Sequence, residues 1–175
     1  IAGRVQAKLN AALATIAGRA ERLVLDFTDP TSIAAASERL GPIDHLVHAA
    51  AIGSGKYGFP FTNLTPQDWP RVMEVNVQGM VNVAHAVSPM MIERESGTQV
   101  YIASVAGQIG SQTDPPYSAA KAANINFAQC LAKDLAPHGE AGTAHGQEVL
   151  DELRASHLAG VAPMEPLVRA HHGQV

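Results

Sequence analysis

A tyrosine and a lysine lie four residues apart in the stretch DPPYSAAKAANINF, which runs from Asp114 to Phe127. In a helix, a spacing of four places Tyr117 and Lys121 on the same face. An ammonium beside a phenol favours the phenolate, so such a pair can move a proton at neutral pH. A Tyr-x-x-x-Lys match also arises by chance, and a plain surface helix is the alternative interpretation.

A serine precedes this pair at a position where it could join it. The apolar stretch TQVYIAS, Thr98 to Ser104, is typical of a strand and ends thirteen residues before Tyr117. Ligands of parallel sheets bind outside the carboxyl ends of the strands. We therefore expect Ser104 near Tyr117, where its hydroxyl could hydrogen-bond a substrate oxygen as charge develops there. A strand-end hydroxyl without a function is the alternative.

The rest of the chain alternates between apolar runs and helical patterns. Strands are expected over 22–27, 43–53 and 98–104, and helices over about 30–41, 66–94 and 115–136. This alternation predicts an α/β fold with a doubly wound, Rossmann-like parallel sheet in a single domain over 1–175. The carboxyl ends of the first two predicted strands place two further groups at the edge of the sheet where ligands bind. Asp26 and Phe27 lie at the end of the first strand, and Ala49, Ala50 and Ala51 lie near the end of the second.

Composition excludes several function classes. The 175 residues carry a net charge of −4 without a basic run, which argues against nucleic-acid binding. No apolar run reaches the roughly 20 residues of a membrane span. The eight histidines are scattered, so we predict no metal site. A single cysteine, Cys130, excludes an internal disulfide and is consistent with a cytoplasmic location.

The motifs together resemble those of the short-chain dehydrogenase/reductase family. The matching features are Tyr117-Ser-Ala-Ala-Lys121, Ser104 at its spacing from the tyrosine, Asn76 in VNVQG, the segment LDFTD and the segment IDHLVHAAAI, and they cover roughly residues 21–139. The resemblance implies an oxidoreductase that uses NAD or NADP to interconvert a small alcohol and a ketone. It leaves open which cofactor is used.

The same resemblance implies roles for these residues. Tyr117 would be the general acid/base, and Lys121 would support it and hold the nicotinamide ribose. Ser104 would bind the substrate oxygen, and Asn76 would bind a water in a proton relay that reaches Lys121. The cofactor would contact Tyr117 and Lys121, together with the segment Ala49–Ala51 and the Asp26–Phe27 pair.

Two features depart from the family pattern. His48-Ala49-Ala50-Ala51 stands where the family has Asn-Asn-Ala-Gly, and we interpret His48 as a hydrogen-bonded structural residue. No glycine-rich phosphate loop is present, although Ile1–Val5 resembles the lead-in to the family's first strand. We therefore expect the sequence to join segments of a longer chain, with missing pieces near 5–8 and near 140–142.

Two other functions compete with this hypothesis. A non-catalytic binding or scaffold subunit could keep the fold without the chemistry. An epimerase or dehydratase would keep the tyrosine and lysine but needs a larger substrate domain than the tail after Ala136 supplies. The two long predicted helices are the family's subunit contacts, so a homodimer or homotetramer is expected.

Overall fold

The computed structural model describes residues 1–58, 60–110, 114–138 and 142–143. Its strands are all parallel and alternate with helices. The strands are β1 (Ala2–Gly3), β2 (Leu23–Val24), β3 (His45–His48), β4 (Thr98–Tyr101) and β5 (Gly142–Thr143). The α-helices are α1 (Gln6–Leu13), α2 (Pro30–Leu40), α3 (Pro70–Met73), α4 (Gly79–Glu93), α5 (Ala106–Ile109) and α6 (Pro115–Leu135). Three 3₁₀ turns (Phe61–Asn63, Pro66–Asp68 and Ala136–His138) and one π-helical turn (Glu74–Gln78) complete the described elements.

The strands form two groups. β1 pairs with β2, and β4 lies between β3 and β5, with His48 opposite Tyr101 in the register. One common strand order of doubly wound sheets is 3-2-1-4-5-6, in which strands 2 and 3 are neighbours and strands 4, 5 and 6 are neighbours. The β1–β2 pair fits strands 2 and 3 of that order better than the lead-in to strand 1. Missing pieces near 5–8 and 140–142 remain a prediction, and residues 139–141 lie outside the described residues.

The helix ends follow from local sequence. Asp29 caps α2 by accepting a hydrogen bond from the Thr31 amide at 3.0 Å, and Gly41 ends the helix with a φ of 68°. Pro70 is the first residue of α3, where its missing N–H costs nothing. The sequence predicts a helix over about 66–94 that starts late or bends at Pro70, and the structure has a 3₁₀ turn, α3 from Pro70, the π-helical turn and α4 in succession.

The hydrophobic core lies between the strands and the helices α2 and α4. It consists of buried apolar side chains from the residue after β2 and from α2, α4 and α6, namely Leu25, Ile33, Ala36, Val83, Val87, Met91 and Leu135. This packing fixes α4 against the sheet, and with it the π-helical turn that precedes α4. Among the described residues, no helix has the length and apolar character needed to cross a membrane.

Candidate active site

The start of α6 places Tyr117 and Lys121 as the sequence predicts. Asp114 caps the helix, and Pro115 and Pro116 occupy its first two positions. The Lys121 Nζ lies 5.7 Å from the centroid of the Tyr117 ring and donates a hydrogen bond to the Ile102 carbonyl at 2.5 Å. The lysine is only 4% exposed, and this burial lowers the pKa of its ammonium.

Ser104 lies beyond the end of its strand rather than in its last position. β4 ends at Tyr101 because its pairing with β3 stops there. The Ser104 Oγ accepts a hydrogen bond from the Ala106 amide at 3.2 Å, at the start of α5. Lys121 contacts the chain on both sides of Ser104. Its Nζ donates to the Ile102 carbonyl, and its backbone carbonyl lies close to Gly107. The structure therefore brings Ser104 to the turn of α6 that carries Lys121.

Gly107 allows α5 to pack directly on the backbone of α6. A Cβ built on Gly107 would lie 2.6 Å from the Lys121 carbonyl carbon and 2.8 Å from the Ala122 amide nitrogen. Both distances are shorter than a van der Waals contact, and both neighbours are backbone atoms that cannot rotate away. Any side chain at this position must push the two helices apart.

Gly107→Ala should therefore reduce stability and activity together. We expect the free energy of unfolding to fall by about 1–3 kcal/mol and the turnover by up to about 10²-fold, since Ser104 and Lys121 both border the displaced contact. Thermal denaturation and initial rates measure the two effects. Gly3→Ala is the matched control, because its Cβ would meet Leu9 at 3.5 Å, an ordinary contact. A Gly107→Ala variant as stable and as active as its Gly3→Ala counterpart would contradict this packing.

Asn76 lies in the π-helical turn and fixes the segment that follows β3. Its side-chain amide is 1% exposed, and it accepts from the Ile52 amide and donates to the Ile52 carbonyl, both at 2.8 Å. These two bonds hold the end of the segment Ala49–Ile52. The predicted proton-relay water at Asn76 remains a prediction, but the side-chain amide is already engaged with Ile52.

Asn124 is a buried site residue that the sequence interpretation missed. Its Nδ2 donates to the main-chain carbonyl of Asn76 at 2.8 Å and lies 2.8 Å from the Met80 sulfur. It therefore ties α6 to the π-helical turn. Its Oδ1 has no hydrogen-bond partner among the described residues. A spacing of three from Lys121 on the same helix was the signal that could have pointed to it.

The residues predicted to contact a cofactor lie at or beyond the ends of β2 and β3. The Asp26 carboxylate accepts hydrogen bonds from the Thr28 amide at 2.9 Å and from the Thr28 hydroxyl at 2.8 Å. These bonds lower the pKa of Asp26, so it is an ionised hydrogen-bond acceptor just beyond β2. Ala49 and Ala51 are exposed with small side chains, which leaves the backbone after β3 accessible. These residues fit a dinucleotide.

His48 is buried and packs against two aromatic rings. Its ring contacts Phe27 edge-on at 5.6 Å and Tyr101 at 6.1 Å. Its Nε2 has no hydrogen-bond partner among the described residues, so the predicted hydrogen bond is not made through this nitrogen. Burial, with a smaller contribution from the Lys121 charge, lowers the pKa of His48 to about 4. The imidazole is therefore neutral near pH 7.

Comparison with known proteins decides the family. A sequence profile described as short chain dehydrogenase matches residues 1–141. The chain belongs to the short-chain dehydrogenase family. The predicted family and the predicted doubly wound α/β fold are thus confirmed. Family members use NAD or NADP, which confirms the predicted cofactor class.

The similar structures include one bound to NAD⁺ and one bound to NADP. The chain is 35% identical over 148 residues to an acetoacetyl-CoA reductase of Synechocystis sp., with 79% of this chain and 59% of that protein covered. The structure of an NAD⁺-bound xylitol dehydrogenase matches with a TM-score of 0.72 and 26% identity, over 87% of this chain and 63% of that one. The structure of a metagenomic short-chain oxidoreductase in complex with NADP matches with a TM-score of 0.70 and 26% identity, over 78% of this chain and 64% of that one. This short-chain dehydrogenase thus spans roughly three fifths of the length of these relatives.

Proposed function

We propose that this protein is an NAD- or NADP-dependent oxidoreductase that interconverts a secondary alcohol and a carbonyl, with Tyr117 as general acid/base. The observation that carries the proposal is the buried Lys121 ammonium, 5.7 Å from the Tyr117 ring and one helical turn from it. The lysine places a cation and its N–H donors beside the phenol at which a proton would pass to or from the substrate oxygen.

The neighbouring residues have complementary roles in this proposal. The hydroxyl of Ser104 binds the substrate oxygen as charge develops on it. Lys121 supports Tyr117 and holds the nicotinamide ribose, and Asn76 binds the relay water while its side chain fixes Ile52. When bound, the nicotinamide cofactor supplies or accepts the hydride. Asp26 and Phe27, with the segment Ala49–Ala51, hold the cofactor at the strand ends.

The acetoacetyl-CoA reductase relative suggests a 3-oxoacyl thioester as the first substrate to test. The protein should oxidise NADH or NADPH when acetoacetyl-CoA, or a small ketone from a panel, is added, and the loss of nicotinamide absorbance measures this rate. The reverse reaction is followed with the corresponding secondary alcohols and oxidised cofactor. Cofactor binding without turnover of any substrate would favour a non-catalytic scaffold subunit instead.

Assembly and location are also proposals. α6 exposes one face, and its exposed residues include Ala122, Asn126, Gln129 and Cys130. We propose that this face, with α4, pairs subunits into a homodimer or homotetramer, which light scattering measures. A cytoplasmic location remains a prediction from the single cysteine.

A further inference from the structure

Asp114 contacts two separate segments of the chain beside Tyr117. Its carboxylate is 3% exposed and lies at the N-terminus of α6. One oxygen, Oδ1, accepts from the Tyr117 amide at 3.4 Å within the helix. The other, Oδ2, accepts from the Ser54 amide at 2.9 Å, sixty residues earlier in the chain. A single side chain thus joins the loop after β3 to the first turn of the candidate catalytic helix.

A helix cap alone does not require a buried carboxylate. Serine and asparagine cap helices about as well as aspartate, and a buried charge is costly unless it is hydrogen-bonded. A carboxylate differs because both of its oxygens are acceptors, whereas serine has one oxygen and asparagine has one acceptor and one donor group. An aspartate at position 114 therefore offers each of the two N–H groups, which come from two segments, its own oxygen.

The loop approaches Asp114 too closely for any side chain at Gly53. A Cβ built there would lie 2.7 Å from the Asp114 Oδ2 and 2.4 Å from the Tyr57 hydroxyl. The loop is also held further on, because the Lys56 Nζ lies 2.9 Å from Asp68 in the capping box before α3. The Ser54–Asp114 hydrogen bond is therefore part of a tightly packed contact rather than a chance approach of two surface groups.

We propose that Asp114 is a positioning residue that sets the separation between the loop after β3 and the turn of α6 that carries Tyr117. This inference rests on the proposed function, because that separation matters when a carbonyl substrate must reach Tyr117 from the ends of the strands. Asp114 itself moves no proton to the substrate. It acts through the Ser54 amide on one side and the Tyr117 amide on the other.

Asp114→Ser and Asp114→Asn test the proposal, since both keep a helix cap but lose one of the two acceptors. We expect melting temperatures within about 4 °C of the wild type. We expect hydrogen exchange of the Ser54 amide to be about tenfold faster or more. We expect kcat/KM for carbonyl reduction to fall roughly 10- to 100-fold because Tyr117 is misplaced.

Asp29→Ser is the matched control, because Asp29 caps α2 through Thr31. It should leave kcat/KM and Ser54 exchange unchanged. Wild-type kcat/KM in both Asp114 variants, or unchanged exchange at Ser54, would overturn the proposal and reduce Asp114 to a helix cap. Hydrogen exchange of the Ser54 amide is measured without substrate, so it tests the Ser54–Asp114 hydrogen bond even if the wild type reduces no carbonyl. That last result would refute the proposed function and leave the contact standing.

Discussion

Tyr117→Phe should lower kcat for carbonyl reduction by about 10²–10⁴-fold, the usual contribution of a general acid or base. The substitution removes the phenolic O–H and keeps the ring, so cofactor affinity and stability should change little. Tyr117 is half-buried, its ring centroid lies 5.7 Å from the Lys121 Nζ, and in the proposed function its hydroxyl transfers the proton. Initial rates with saturating cofactor and substrate measure the effect.

Tyr101→Phe is the matched control for this substitution. The Tyr101 hydroxyl donates to the Gln99 side chain at 2.7 Å, and burial raises the pKa of Tyr101, so this phenol stays protonated. Its loss should reduce stability by about 1 kcal/mol and leave kcat unchanged. If Tyr117→Phe kept wild-type kcat, or if both variants lost it equally, Tyr117 would not be the acid/base.

Lys121→Met should abolish most activity without destabilising the fold. The ammonium is 4% exposed, and burial lowers the pKa of Lys121, which shows that the folded protein disfavours its charge. Methionine has a similar volume and no charge, so the free energy of unfolding should stay equal or rise despite the lost bond to Ile102. We expect kcat to fall by about 10²-fold or more, because Tyr117 loses the neighbouring ammonium and the nicotinamide ribose loses its proposed partner.

The stability difference between this variant and the wild type should depend on pH. The unfolded chain binds a proton at Lys121 more readily than the folded chain, because the pKa of Lys121 in the folded state lies below the ordinary 10.5. The free energy of unfolding of the wild type therefore increases as the pH rises from that lowered value towards 10.5. The Lys121→Met variant has no group at position 121 that titrates, so it lacks this increase. Chemical denaturation at neutral and alkaline pH measures it.

Lys133→Met provides the control on the same helix. Lys133 is exposed near the end of α6, so its substitution should change neither turnover nor the pH dependence of stability. A Lys121→Met variant that is strongly destabilised at neutral pH but active when folded would contradict the assignment. It would make Lys121 a structural residue that binds the Ile102 carbonyl.

Local signals account for what the sequence predicted well. Asp-Pro-Pro determines where α6 begins, and a spacing of four then places Tyr117 and Lys121 on one face. Asp29 and Gly41 mark the ends of α2 in the same way. In each case the residues that determine the structure lie within one helical turn of the feature, so a single sequence is enough.

Contacts between distant residues account for what was missed. Asn124 and the Asn76 carbonyl are 48 residues apart, and Ser54 and Asp114 are 60 apart, so neither pair has a local pattern. The π-helical turn likewise depends on partners in α6 and after β3. Ser104 lies past its strand because β3 stops pairing at His48, which the apolar run could not indicate.

One turnover of bound reduced cofactor shows whether the protein reduces a carbonyl with Tyr117 as its general acid. The wild type is loaded with NADH or NADPH in slight deficit and mixed with its best carbonyl substrate, and the alcohol formed is counted against the cofactor oxidised. We expect equal amounts of alcohol and oxidised cofactor in the wild type, and a much slower reaction in Tyr117→Phe with the cofactor still bound. Bound cofactor that no carbonyl oxidises, or equal rates in the two proteins, would contradict it.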